Sequence, residues 1–284
     1  MADQPQNHTP FEAVIVDGGR IPFQRSGTGY KKLMAYDLGR MAIEGLIGRA
    51  PINGNDLDRV IMGTVIQDVN TSNVARESAL GAGIPNNVPA HTVTQACISS
   101  NQAITSAVVL IRTVQPKITM AGGTETMSDI PIRFCKKFRQ QLLDSRRYKS
   151  IGDFLKFFKG LRPSHLLPEI PSISEFSTGE TMGESCDKMA ARFGISREAQ
   201  DEYALRSHQL AAKATNEGWL DPELLPAAVP PDFDTIEHDN TFREDTSMEK
   251  LQKLSPAFIK PHGTITAGNS SALTDGASAS LIME

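Results

Sequence analysis

What most constrains this chain is a change of hydrophobic period that recurs through its first 126 residues, with glycine at most of the changes. Residues 13–17 (AVIVD) read as a buried strand ended by Gly18 and Gly19. A helix is expected over 36–49, where Leu38, Met41, Ala42 and residues 45–47 supply an apolar side. Residues 59–66 (RVIMGTVI) read as a second strand, 73–80 as a short helix stopping near Gly81 and Gly83, and 91–96 (HTVTQA) as a third strand. From 98 to 114 the chain is small and apolar almost throughout, which predicts a buried helix ending before Pro116. Residues 117–121 (KITMA) form a strand running into Gly122 and Gly123. Strand and helix alternating in this way predict an α/β layered sheet.

The alternation breaks near residue 127, and from there to about 250 the chain is charged, proline-rich and helical. The clearest helix covers 196–218. Ser196 can cap it, Glu198 suits its positive end, Ala199, Tyr203, Leu210 and Ala214 share a face, and Gly218 stops it. Strand character returns at 264–267 and 277–283. The simplest account is a core domain of 13–126 and 251–284 interrupted by an inserted, mostly helical loop domain, 127–250. A loose polar tail, 1–12, precedes it.

Charge and composition exclude several classes. A net charge of −4 and a pI near 5.9 do not suit a general nucleic-acid binder. No apolar run approaches 18 residues, so no membrane-spanning helix is expected. Cys97, Cys135 and Cys186 are too widely spaced for a metal-ligand pair and suit a reducing compartment, so no metal is expected. The opening MADQPQNHTP resembles neither a signal nor a transit peptide, which points to a cytoplasmic protein.

The most informative residue is Cys97, in Gln95-Ala96-Cys97-Ile98-Ser99-Ser100, at a predicted strand-to-helix junction. Unpaired N–H groups and the dipole at a helix N-terminus favour a thiolate, and ligands of α/β sheets gather at the carboxyl ends of strands. The alternative is a buried structural cysteine. An activated thiol needs a base. His91 shares the strand and its side, but six residues place it about 20 Å away. His8, His165, His208, His238 and His262 lie in no recognisable motif, and each reads as surface or structural. The glycines of GGTETM fit neither GxGxxG nor GxxxxGK, so no phosphate loop is inferred.

QACISSNQAI, AGGTETMSDIPI, EFSTGETMGES and KPHGTITAGNSSALTDGASASLIM, with VDGGRIPF and NVARESALGAGIP, together resemble the amino-terminal half of a thiolase. SEFSTGETMG, DEYALRSHQLA and PAFIKPHGT are most similar to the trifunctional-complex β-subunit branch, which degrades long-chain 3-oxoacyl-CoA in fatty-acid β-oxidation. The resemblance implies a layered α/β fold, its sheet mixed and mainly parallel with helices on both faces. It also implies an acyltransferase in which Cys97 takes the acyl chain as a thioester, acetyl-CoA leaves, and coenzyme A, a co-substrate rather than a bound cofactor, removes the chain. Arg243 matches a position near the nucleotide end of CoA, and Ala267, Ser271 and Leu273 match residues of the pantetheine tunnel. Met182 matches a tunnel residue too, although Thr181 before it replaces a histidine found in some thiolases. The alternatives are a loop arginine in solvent and ordinary turn residues. The family's activating histidine and second catalytic cysteine belong to NEAF- or HEAF-, GHP- and CGG-type segments. These 284 residues contain none of them, so little turnover is expected from this chain alone, and Cys135 and Cys186 do not match the second cysteine. A homodimer or higher homo-oligomer and a hydratase–dehydrogenase α subunit are the partners implied. A biosynthetic acetoacetyl-CoA thiolase and a non-catalytic CoA-binding or assembly subunit are the alternative functions, and a cysteine hydrolase lacks its base.

Between residues 133 and 162, ten Lys or Arg face two Asp, a local excess of +8 that leaves −12 for the rest of the chain. Phe134, Phe138, Tyr148, Phe154, Phe157 and Phe158 are interleaved. Basic and apolar side chains mixed in this way suit an anionic membrane surface or an acidic partner, the alternative being a charged insertion packed by its aromatics.

Overall fold

The computed structural model describes residues 12–114, 116–169 and 174–284. The tail expected over 1–12, with His8, lies outside the described residues except for Glu12. In chain order the elements begin with β1 (Val14–Arg20), β2 (Gln24–Arg25), α1 (Ala35–Arg49), β3 (Arg59–Gly63), α2 (Val74–Gly81), β4 (Ala90–Val93), α3 (Ser99–Val114) and β5 (Ile118–Glu125). Then come β6 (Arg133–Phe134), α4 (Lys136–Ser145), α5 (Ile151–Phe158), β7 (Pro168–Glu169), α6 (Met182–Phe193), α7 (Arg197–Asn216), β8 (Ala227–Val229), β9 (Asp234–Ile236), α8 (Met248–Gln252) and β10 (Thr274–Met283).

The main sheet runs β1-β10-β5-β3-β4, with β2 also on β10, while β6–β7 and β8–β9 form separate pairs. The sheet is mixed, as expected, but its balance differs from the expectation of mainly parallel pairing. β3 pairs parallel with β4 and β5, whereas β10 pairs antiparallel with β1, β2 and β5. The chain leaves this sheet after β5 and rejoins it at β10, whose eight-residue register against β5 makes it a central strand.

Helices cover both faces. On one, Leu38, Met41 and Leu46 of α1 and Ala75 and Ala79 of α2 pack with Val60, Met62 and Met120. On the other, Ala103, Ala107 and Ile111 of α3 pack with Ile61, Ala121 and Ile282. Alternating strand side chains feed opposite cores, which is why these strands read as continuous apolar runs.

Some expected elements change. Of residues 13–17, the strand takes in 14–17, in the edge strand β1, and Val14, Ile15 and Val16 are exposed rather than buried. Only one face of α3 is buried, and Val109 and Val114 are exposed. The strand expected over 264–267 does not form. Thr264 and Ile265 give their N–H groups to the Asp187 carboxylate at 2.7 and 2.9 Å, and Thr266 gives its own to Asn269 Oδ1, so side chains take the bonds a ladder would use. Helix α7 starts as expected, the Ser196 hydroxyl accepting from Ala199 N–H, but Tyr203 and Leu210 face solvent. The residue that α7 buries is Asp201, which binds Arg197 Nε and Asn269 Nδ2.

Candidate active site

Cys97 sits two residues before α3, at the carboxyl end of β4, as a free and exposed thiol. Its turn is held from within. Ser99 Oγ accepts from Gln95 N–H at 2.8 Å and donates to the Ala96 carbonyl at 2.6 Å, while Ser99 N–H returns to the same carbonyl at 3.1 Å. Ala96 is forced to φ +45°, a strained conformation for a residue with a Cβ, and this tight turn carries the next side chain outward. Two glycines let the helix come so close. A Cβ at Gly63 would strike the Ser99 carbonyl, and one at Gly123 would strike Ser100 Oγ. Backbone at the ends of β3 and β5 therefore touches the first turn of α3.

The thiol opens into a cavity of about 690 Å³, the size of a small-molecule site. Phe23, Val65, Glu125, Phe176 and Met182 line it with Cys97. Met182 is thus brought to the thiol. Thr181, where some thiolases carry histidine, is the N-cap of α6: its hydroxyl accepts from Glu184 N–H at 3.2 Å and its own N–H donates to Glu184 Oε2 at 2.7 Å. The reciprocal bonds hold the Glu184 carboxyl below the usual range.

Arg243, Ala267, Ser271 and Leu273 do not line this cavity; all four are exposed on loops. His208 on α7 joins two of those loops. Its Nδ1 accepts from Arg243 N–H at 3.2 Å, and the Gly268 carbonyl lies near enough to the ring to favour its protonated form. Burial and the Arg243 charge lower its pKa, against the pull of that carbonyl, which suits a neutral ring with one accepting nitrogen. No described histidine lines the cavity. His91 lies on β4, its pKa lowered by burial and by Arg59.

The sequence reading missed two carboxylates. Asp275, fully buried, accepts from Met127 N–H at 2.7 Å and from Ser128 N–H at 3.1 Å, and fixes the loop leaving β5. Glu125 accepts from Val65 N–H, Ile66 N–H and the Thr64 hydroxyl, at 2.8, 3.1 and 3.3 Å. Burial raises its pKa, with the three donors opposing. Their signal was only a single acidic residue near each strand end, which many surface positions share.

The family model for the thiolase N-terminal domain matches residues 13–284. The chain belongs to the thiolase family. This thiolase chain is 56% identical over 270 residues to the mitochondrial trifunctional enzyme subunit beta of Bos taurus, covering 95% of this chain and 56% of that protein. It is 48% identical to a probable 3-ketoacyl-CoA thiolase of Caenorhabditis elegans, covering 95% and 60%, and 41% identical to a 3-ketoacyl-CoA thiolase of Yersinia pestis, covering 95% and 62%. It spans little more than half the length of these relatives. The crystal structure of the Bacillus anthracis acetyl-CoA acetyltransferase superposes with a TM-score of 0.82 at 29% identity, covering 96% of this chain and 65% of that one.

Proposed function

We propose that this thiolase chain carries the acyl-accepting half of a 3-oxoacyl-CoA thiolase, an acetyl-CoA acyltransferase of fatty-acid β-oxidation. The observation that supports it is the free, exposed Cys97 on a strained turn before α3, opening into the 690 Å³ cavity. In the step proposed, Sγ attacks the 3-oxo carbon of the substrate and the bond from that carbon to the acetyl unit breaks. A thioester forms on Cys97, and the departing acetyl-CoA carbanion takes up a proton. Thiolysis by a second CoA then transfers the chain and frees the thiol. Met182 lies along the substrate, and Arg243, Ala267, Ser271 and Leu273 on the path of CoA, with His208 keeping their two loops in register. On this reading the core, 13–126 and 251–284, presents the thiol, and 127–250 completes the substrate wall. The partners are a second copy of the chain and a hydratase–dehydrogenase α subunit, and the setting is cytoplasmic. A peripheral contact with anionic membrane runs through 133–162.

Incubation of the 284-residue chain with a medium- or long-chain 3-oxoacyl-CoA should add one acyl mass at Cys97. The adduct should be absent in Cys97→Ser, and multiple turnover should stay negligible. No adduct on the wild-type chain, or the same adduct on Cys97→Ser, would overturn the assignment, and acetoacetyl-CoA as the sole acyl donor accepted would favour a biosynthetic enzyme instead.

A further inference from the structure

Gly123 and Glu125 are two residues apart on β5 and therefore share a face of the sheet, the face that carries α3. The Glu125 side chain reaches across the ends of the strands to the stretch leaving β3, where Thr64, Val65 and Ile66 together give its carboxylate three hydrogen bonds. Those residues form one wall of the cavity that holds Cys97. The same stretch is tied to the cysteine's own approach, because the Thr94 hydroxyl donates to the Thr64 carbonyl three residues before Cys97. Glu125, the 64–66 wall and the Thr94–Cys97 approach thus form one connected set of contacts around the thiol. β3 could have continued to residue 66, as its sequence suggests, but its last N–H groups are spent on this carboxylate instead of on a ladder. A side chain that ends a strand in order to hold a cavity wall has a positional purpose, since unbroken pairing would satisfy the same donors without a buried charge.

We propose that Glu125 is a positioning residue for Cys97, anchoring the 64–66 wall so that the turn at Ala96 keeps its strained form and presents the thiol to the cavity. This rests on Cys97 being the acyl-accepting group, but the presentation of the thiol can be read without any acyl transfer. Alkylation of the 284-residue chain by iodoacetamide, followed cysteine by cysteine through peptide mass mapping, gives that reading. In Glu125→Ala, Cys97 should react about fivefold more slowly, the weight of one net hydrogen bond, while Cys135 and Cys186 in the same molecules keep their rates. Glu125→Gln keeps one acceptor oxygen for Ile66 N–H and the Thr64 hydroxyl but turns an amide nitrogen toward Val65 N–H, and should recover part of the loss. Thr94→Val, which cuts the link without touching the carboxylate, should slow Cys97 in the same direction. An unchanged or faster Cys97 rate in Glu125→Ala, or an equal change at all three cysteines, overturns the proposal. If the substitutions act as expected yet no 3-oxoacyl-CoA labels Cys97, the functional reading fails and the positioning role stands.

Discussion

Asp187 and Glu125 are both largely removed from water and both accept main-chain N–H bonds, yet they titrate in opposite directions. Burial works against the charge of each. At Asp187 the N–H groups of Ile265, Thr264 and Ile259 outweigh it and hold the carboxyl below its ordinary range, whereas at Glu125 burial prevails over two N–H groups and a hydroxyl. The consequences for stability therefore have opposite signs. The Asp187 contribution is present above its unfolded value near 3.8 and is lost as pH falls through the lower folded value. The Glu125 contribution is fully present below its unfolded value near 4.5 and is lost as pH rises through the raised folded value. Asp187 holds the 259–265 turn, so Asp187→Asn, which loses the charge and turns an amine toward N–H donors, should cost about 1–3 kcal/mol at pH 7. Urea midpoints of the two proteins should converge as pH is lowered toward 3. A gap that is constant across pH would show that the charge is not what the turn depends on.

At the scale of elements, the site depends on α3 lying directly on the ends of β3 and β5. Gly63→Ala would drive a methyl into the Ser99 carbonyl and the Ser100 nitrogen, all main chain, with no side chain to swing aside. A loss of about 2–3 kcal/mol is expected from such overpacking. Gly48, in the last turn of α1, has nothing within 4 Å of an added Cβ, so Gly48→Ala should instead gain about 0.5–1 kcal/mol through helix propensity. Denaturant midpoints for the pair provide the comparison, and equal effects would remove the argument for close approach. These elements were legible because period and glycine coincide: α1, α2, α3, β5 and β10 fall within a few residues of where their apolar patterns place them. The position of Cys97 at a strand-to-helix junction was legible, whereas the choice between a reactive and a structural thiol rested on the thiolase resemblance. What could not be read was where strands stop. β3 and the 264–267 segment have strand-like sequences and lose their ladders to Glu125 and Asp187, partners 59 or more positions away in the chain. The exposure of β1 and of the outer face of α3 is likewise a matter of which neighbours they find, and apolar residues alone do not announce it.

Across the whole molecule, the −4 net charge averages a basic hairpin against an acidic body. The structure gives that hairpin a form. Phe134, Phe138, Phe157 and Phe158 stack edge to face at ring separations of 4.9 to 5.9 Å and join α4 to α5, so part of its aromatic content serves packing, as the alternative reading held. That packing leaves apolar surface outside: Leu143, Ile151, Leu155 and the open side of Phe158 are 58 to 84% exposed, in the stretch that carries Arg146, Arg147 and Lys149. No described helix is long and apolar enough to cross a membrane, and a lipid contact made by α4 and α5 would be interfacial, with apolar side chains entering the headgroup region and cations meeting its charge. An acidic protein partner would use the cations but leave Ile151 and Leu155 in water. The two sources of attraction separate by experiment. On vesicles containing anionic lipid, Arg146→Glu combined with Arg147→Glu should weaken binding in a salt-dependent way, at about 1 kcal/mol per basic residue lost. Ile151→Ser with Leu155→Ser should weaken it at every salt concentration, because the hydrophobic part is not screened. Binding that ignores both pairs would return the hairpin to a packed insertion, and binding that responds to charge alone would describe an electrostatic contact that never enters the bilayer.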